Sequence, residues 1–175
     1  CARPDLGSFL ADARRQSLRV TLHSGDTLDA VERFAMAHGF EAWHGAQNPL
    51  EKLETLKVAQ SKGQTTLMFG DGINDSVALT GADVSVRFAG ASDIAQSASD
   101  VVLTRPDITL VTQLIRFSRA TRALIAQNLA FATLYNIVTV PLALAGFLTL
   151  AIAALLTSSS SIIVLANGFR LRWQG

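Results

Sequence analysis

The sequence predicts an α/β domain built on a parallel sheet, followed by two helices that cross a membrane as a hairpin. Three observations carry this expectation. Short apolar runs alternate with helical patterns through the first two-thirds of the chain, the order that gives parallel strands joined by crossovers. Nearly all charge lies in that part, and no Asp, Glu, Lys or Arg occurs between Arg122 and Arg170. The uncharged stretch holds two spans of about 20 residues, the number a bilayer core of roughly 30 Å requires. The 175 residues are 49% hydrophobic, with a mean hydropathy of +0.32.

Leu18–His23 reads as a strand ending in the turn Ser24-Gly25-Asp26. Thr27–His38 has helical spacing, with Leu28, Val31, Phe34 and Ala35 on one face and Gly39 as a stop. Phe40–His44 is a short strand. A helix follows over Pro49–Lys62, opened by Pro49 and closed by Gly63. Thr65–Phe69 is a strand, and Gly70-Asp71-Gly72-Ile73-Asn74-Asp75 is the loop after it. Then come helix Ser76–Gly81, strand Val84–Phe88, helix Ser92–Ser99 and strand Val101–Thr104. From Thr109 a helical pattern carries Arg116, Arg119 and Arg122 into the uncharged stretch. The spans fall near Asn128–Phe147 and Leu150–Gly168, with the turn near Gly146–Thr149. This divides the chain into residues 1–108, a linking helix over 109–127, and a hairpin with a short tail over 128–175. Arginines flank the pair on both sides (Arg170 and Arg172 follow it), so both ends are expected inside and the turn outside.

Charge and cysteine content narrow the function. With 15 basic and 14 acidic residues the net charge is +1, no basis for binding nucleic acid. Cys1 is the single cysteine, so an internal disulfide and a cysteine-built cluster are excluded. The start at Cys1-Ala2-Arg3-Pro4-Asp5 lacks both Met and a leader pattern, and truncation is expected.

Three pieces carry chemistry: Ser24-Gly25-Asp26, Lys52, and the run from Gly70 to Asp75. All fall at the carboxyl edge of a parallel sheet, where open α/β folds bind ligands. Asp71 and Asp75 suit Mg²⁺, which takes one or two carboxylates and fills its octahedron with water and phosphate oxygens. A hydroxyl such as Ser24 can hydrogen-bond a phosphoryl oxygen, and Lys52 can neutralise one. Together they make a site for a phosphoryl group beside Mg²⁺.

The run Gly70-Asp71-Gly72-Ile73-Asn74-Asp75 resembles the GDGxND motif of P-type ATPases. Ser24-Gly25-Asp26 resembles that family's TGD-type motif, and Pro49-Leu50-Glu51-Lys52 its P-x-x-K segment. The resemblance implies a partial haloacid-dehalogenase-like, Rossmann-type phosphorylation domain. It gives Mg²⁺ binding to Asp71, and completion of the site to Asn74 and Asp75. Lys52 is implied to contact the phosphoryl group. ATP is implied as the substrate of the whole protein, and a multi-pass place in the cell (inner) membrane follows, with the soluble domain cytoplasmic. The nucleophilic Asp of the family's DKTGT motif, on the central strand of its sheet, is not in this sequence, and neither is its CPC metal motif. The fragment alone is therefore expected to be inactive, with the N-terminal part of the same pump as its partner.

The hairpin resembles the last two helices of the heavy-metal subgroup. Asn128-Leu129, Tyr135-Asn136 and Pro141 match the first helix of copper pumps. Ser160-Ser161, Asn167 and Arg170-Leu171 match the second. Tyr135, Asn136, Ser160 and Ser161 are thereby implied as contacts of the transported ion, with Thr157 where copper pumps carry Met. The Lys and Asp of Zn²⁺/Cd²⁺ pumps are absent, so Cu(I) is the expected cargo. Phe88-Ala89-Gly90-Ala91-Ser92-Asp93 resembles the variant serving cytochrome oxidase assembly. Two alternatives stay open: a membrane-tethered phosphatase complete in itself, and a catalytically inactive membrane-bound binding module.

Overall fold

The computed structural model describes residues 3–70, 75–89, 99–147 and 149–169. Asp71, Asn74, Arg170, Arg172 and the expected helix Ser92–Ser99, apart from Ser99, lie outside them. So do the side chains of Thr157 and Ser160. The chain forms two compact units, Cys1–Gln113 and Leu114–Gly175.

In the first unit, helix α1 (Leu6–Arg15) precedes strand β1 (Thr21–His23), helix α2 (Leu28–His38), strand β2 (Ala42–His44) and helix α3 (Pro49–Ser61). Strand β3 (Leu67–Gly70), helix α4 (Ser76–Gly81) and strands β4 (Val84–Phe88) and β5 (Val101–Leu103) follow. The expected parallel pairing is present, distributed over two sheets. β1 pairs with β2, and β3-β4-β5 form a second sheet, every pair parallel. The strands are shorter than their apolar runs because flanking residues bond elsewhere. Thr66, expected in strand β3, gives its N–H and hydroxyl to Asp83 Oδ2 at 2.7 and 2.9 Å. The next pair repeats this clasp: Ser85 gives both groups to Asp100 Oδ2 at 2.8 and 2.7 Å. Each Asp stands just ahead of a strand and grips the neighbouring one.

Helix α1 was not anticipated from the sequence, although Leu6, Leu10 and Ala13 are all buried at helical spacing. It follows Asp5, whose Oδ2 accepts the Ile108 N–H at 2.6 Å. That bond, above all, holds the Asp5 carboxyl below the usual range. On α2, Val31 and Ala35 are buried as expected, but Leu28 is 55% exposed. Its backbone, not its side chain, packs inward: a Cβ on Gly45 would stand 2.7 Å from Leu28 Cα. Met68, Ala78 and Leu79 form a small core with Leu56 and Ala82 against it.

Helix α5 (Thr109–Leu144) begins where the pattern predicted and runs 36 residues, about 54 Å at 1.5 Å per residue. No break separates the expected linking helix from the expected first span. Among the described residues α5 is the one helix long and apolar enough to cross a membrane. Gly146, at φ 77°, ends the turn after it: Phe147 N–H bonds Leu142 O at 3.1 Å and Gly146 N–H bonds Ala143 O at 3.1 Å. This is the left-handed helix stop that glycine adopts without a Cβ clash. Helix α6 (Leu150–Phe169) follows, 20 residues long. Along α5 from Thr121, the less exposed positions are Thr121, Leu124, Asn128, Phe131, Ala132, Tyr135 and Thr139, one face at three- and four-residue spacing. Asn167 Nδ2 of α6 donates to Asn128 Oδ1 on that face at 2.8 Å.

Candidate functional site

The site is built where β1 ends, α3 begins and Asp75 stands ahead of α4. Ser24 leaves β1 and its N–H bonds His44 O at 3.0 Å, while Gln47 N–H bonds Ser24 O at 3.0 Å. The two strand-end loops are thereby tied to each other. The Ser24 hydroxyl donates to Asp26 Oδ2 at 2.9 Å and accepts the Asp26 N–H at 3.2 Å, closing a tight local turn.

Helix α3 is started firmly. Asn48 Oδ1 accepts the N–H groups of Leu50 and Glu51 at 2.9 Å each. Glu51 Oε2 accepts the Asn48 N–H at 2.8 Å. This reciprocal cap satisfies donors that an open helix end leaves orphaned, with Pro49 in the first turn. One residue beyond Glu51 is Lys52, 7% exposed. Its Nζ meets Asp75 Oδ1 at 2.7 Å. Asp75 approaches Gly70 so closely that a Cβ there would stand 2.8 Å from Asp75 Oδ2 and 2.9 Å from Asp75 Cβ. Glycine at the end of β3 is what lets this carboxylate reach Lys52.

Ser24, Gly25, Asp26, Lys52 and Asp75 thus line one open cleft of about 500 Å³, together with His23, Gln47 and Pro49. His23 and Gln47 were missed in the sequence reading; their signal was adjacency to Ser24 and to the start of α3. His23 Nδ1 and Gln47 Oε1 are 2.7 Å apart, and Gln47 Nε2 donates to Thr55 Oγ1 at 3.3 Å. The His23 ring stacks on His44, centroids 5.0 Å apart. Burial holds the His23 pKa below the ordinary histidine range; the Gln47 bond opposes this, repulsion from the neighbouring His44 and Lys52 adds to it, and Asp75 opposes it. The described donors, carboxylate and hydroxyl oxygens, are hard ligands of the kind Mg²⁺ takes. No group of three or more His, Cys, Asp or Glu able to hold a metal occurs among the described residues, and Asp71 lies outside them.

In the second unit, Tyr135 lies on the less exposed face of α5 and Asn136 on its exposed side. Phe131 packs near Tyr135, ring centroids 6.3 Å apart. Ser161 is exposed on α6.

Residues 1–83 match the family model for haloacid dehalogenase-like hydrolases. The nitrogen fixation protein FixI of Rhizobium leguminosarum bv. viciae is 40% identical over 158 residues, 90% of this chain and 21% of the relative. A copper-transporting ATPase of Helicobacter pylori is 36% identical over 169 residues, 93% of this chain and 23% of the relative. The crystal structure of a zinc-transporting PIB-type ATPase in an E2·Pi state superposes with a TM-score of 0.87 at 25% identity. That superposition covers 98% of this chain and 28% of the other. The chain belongs to the heavy-metal P-type ATPases. It spans about a fifth of the length of the curated relatives it matches. As a P-type ATPase chain it carries the haloacid-dehalogenase-like, Rossmann-type domain and, among the described residues, one helix fit to cross a membrane.

Proposed function

We propose that this chain forms one wall of the phosphorylation site and the last two membrane helices of a pump that exports Cu(I), driven by ATP through an aspartyl phosphate. One observation carries the reading: Ser24-Gly25-Asp26, Lys52 and Asp75, from three separate parts of the sequence, meet in one cleft at the strand ends. Lys52 offers its ammonium to a phosphoryl oxygen, and Asp75 orients it at 2.7 Å. Ser24 exchanges its bond to Asp26 for one to the phosphoryl group. Asn74 completes the hydrogen bonding of the site. Asp71 and Asp75 would hold Mg²⁺, which supplies neutralisation of the phosphate charge. A strand from the preceding part of the pump, carrying the nucleophilic Asp, fits between β1 and β3, whose outer edges pair with no strand among the described residues.

The membrane part rests on length and charge. From Ala123 to Leu144, α5 is uncharged for about 33 Å, and α6 for about 30 Å. Both ends lie in the cytoplasm, and the protein sits in the inner membrane as a multi-pass pump. Tyr135, Asn136, Ser160 and Ser161 are the ion contacts from this hairpin. Cu(I) is favoured over Zn²⁺ because a divalent ion calls for a compensating carboxylate in the membrane, and this hairpin has none. Sulfur for a soft ion comes from the cysteines of the pump's own upstream helix.

The test uses the full-length pump. Asp71→Ala abolishes phosphoenzyme formation from ATP; normal phosphoenzyme in that variant sinks the site assignment. Under reducing conditions Cu(I) stimulates hydrolysis more than Zn²⁺ does, and Tyr135→Phe and Asn136→Ala reduce that stimulation. Stronger stimulation by Zn²⁺ overturns the copper reading alone.

A further inference from the structure

We propose that Asn128 and Asn167 are positioning residues that lock the register of α5 against α6, and so set the depth at which the two helices face the ion. The inference rests on the reading of Tyr135 and Ser160 as ion contacts. The observation is the 2.8 Å bond from Asn167 Nδ2 to Asn128 Oδ1, in a stretch with no charged residue.

The threonines on the same face of α5 turn back on their own helix. The Thr121 hydroxyl donates to Phe117 O at 2.9 Å and that of Thr139 to Tyr135 O at 2.9 Å. Asn128 instead reaches across to α6. Around Asn167, α6 offers mostly Ala, Leu, Ile, Val and Ser. Small and aliphatic side chains pack almost equally well one turn up or down, so a directional amide pair is what distinguishes one register from the next.

The consequence follows from helix geometry. Seven residues beyond Asn128 stands Tyr135, and seven before Asn167 stands Ser160. Seven residues are nearly two full turns, so each pair shares a helix face, and the rise is about 10.5 Å on both helices. The amide bond therefore brings positions 135 and 160 to the same depth in an antiparallel pair. A slip of one turn would separate them by about 5.4 Å, more than a shared ion tolerates. Tyr135 lies on the same less exposed face as Asn128, and its hydroxyl makes no hydrogen bond among the described residues.

The experiment uses the full-length pump in membranes, with a short thiol-specific bifunctional reagent. Tyr135→Cys combined with Ser160→Cys cross-links strongly, and Tyr135→Cys with Leu156→Cys, one turn away, weakly. Adding Asn128→Ala or Asn167→Ala spreads the yield over both pairs. An unchanged cross-linking pattern in both variants overturns the proposal. In the pump without added cysteines, Asn128→Ala raises the Cu(I) concentration for half-maximal stimulation about three-fold, the size of a typical interhelical hydrogen bond in a bilayer. The KM for ATP stays unchanged. Asn128→Ala with Asn167→Ala does no more harm than either alone, and additive losses overturn the pairing. If Tyr135→Phe leaves stimulation intact while the cross-links still shift, the ion-contact reading falls and the register lock stands.

Discussion

Replacing Lys52 by Met tests whether the cleft is held by charge. Met keeps most of the apolar stem and removes the ammonium, which lies 2.7 Å from Asp75 Oδ1. At an effective dielectric of about 20 that attraction is roughly 6 kcal/mol before desolvation is subtracted. Both groups are largely buried, with side-chain exposures of 9% and 17%. Removing one member of such a pair costs about 3–5 kcal/mol, chiefly because the other is left without a counter-charge. Lys52→Met should fall near about 3 kcal/mol, since the stranded carboxylate borders the open cleft. Asp75→Asn should cost more, since it strands the better-buried ammonium. The variant carrying both changes should be more stable than the sum of the single losses by at least about 2 kcal/mol. Urea unfolding at high dilution, followed by Trp43 fluorescence with Trp173→Phe as background, reads this directly. Single losses that add to within about 0.5 kcal/mol would refute the coupling.

Further outcomes follow from the same geometry. Gly70→Ala should push Asp75 off Lys52 and cut phosphoenzyme formation in the full-length pump at least about ten-fold, the effect of a small misplacement in a reacting site; wild-type levels would show that Asp75 has room to yield. The His23 pKa is lowered on folding, so the unfolded chain binds more protons and stability declines as pH falls below about 6.5. His23→Gln should flatten that decline in urea midpoints between pH 7.5 and 5.5. The carboxyls of Asp83 and Asp100 are held low, first by the backbone N–H of Thr66 and of Ser85 and then by their hydroxyls. Their stabilisation is present above the unfolded carboxylate range, near 4, and is lost as pH falls through the lower folded values. Asp83→Asn and Asp100→Asn should therefore shrink the loss of urea midpoint between about pH 4 and about pH 2. A cysteine at Thr149 should react with an impermeant reagent from outside sealed cells, and one at Arg119 should not; labelling at Arg119 would invert the topology.

Periodicity and turn chemistry carried much of the fold in the sequence. Helix α2 stops at Gly39, α3 opens at Pro49, and α5 begins at Thr109, each where a local signal stood. Strand ends were less legible, because Thr66 is apolar enough in context to read as strand while its hydroxyl serves a carboxylate 17 residues away. Leu28 fits the apolar face of α2 by spacing, yet the close backbone approach at Gly45 turns its side chain outward. In the cleft, Lys52 was recognisable from its Pro49-Leu50-Glu51-Lys52 setting. His23 and Gln47 were not, since their place depends on the pairing of β1 with β2, a contact between distant residues that no short window contains.

The outer edges of β1 and β3 have a consequence for handling the molecule. A strand flank with unbonded N–H and C=O groups recruits whatever extended segment it meets. Expressed by itself, this chain should associate with its own copies through these flanks and precipitate at modest concentration. Supplying a separate polypeptide that contains the strand proposed to fit between β1 and β3 should suppress that association, and the two pieces should then purify together. The same flanks that make the lone chain sticky make it a candidate piece for a split protein reassembled in the cell.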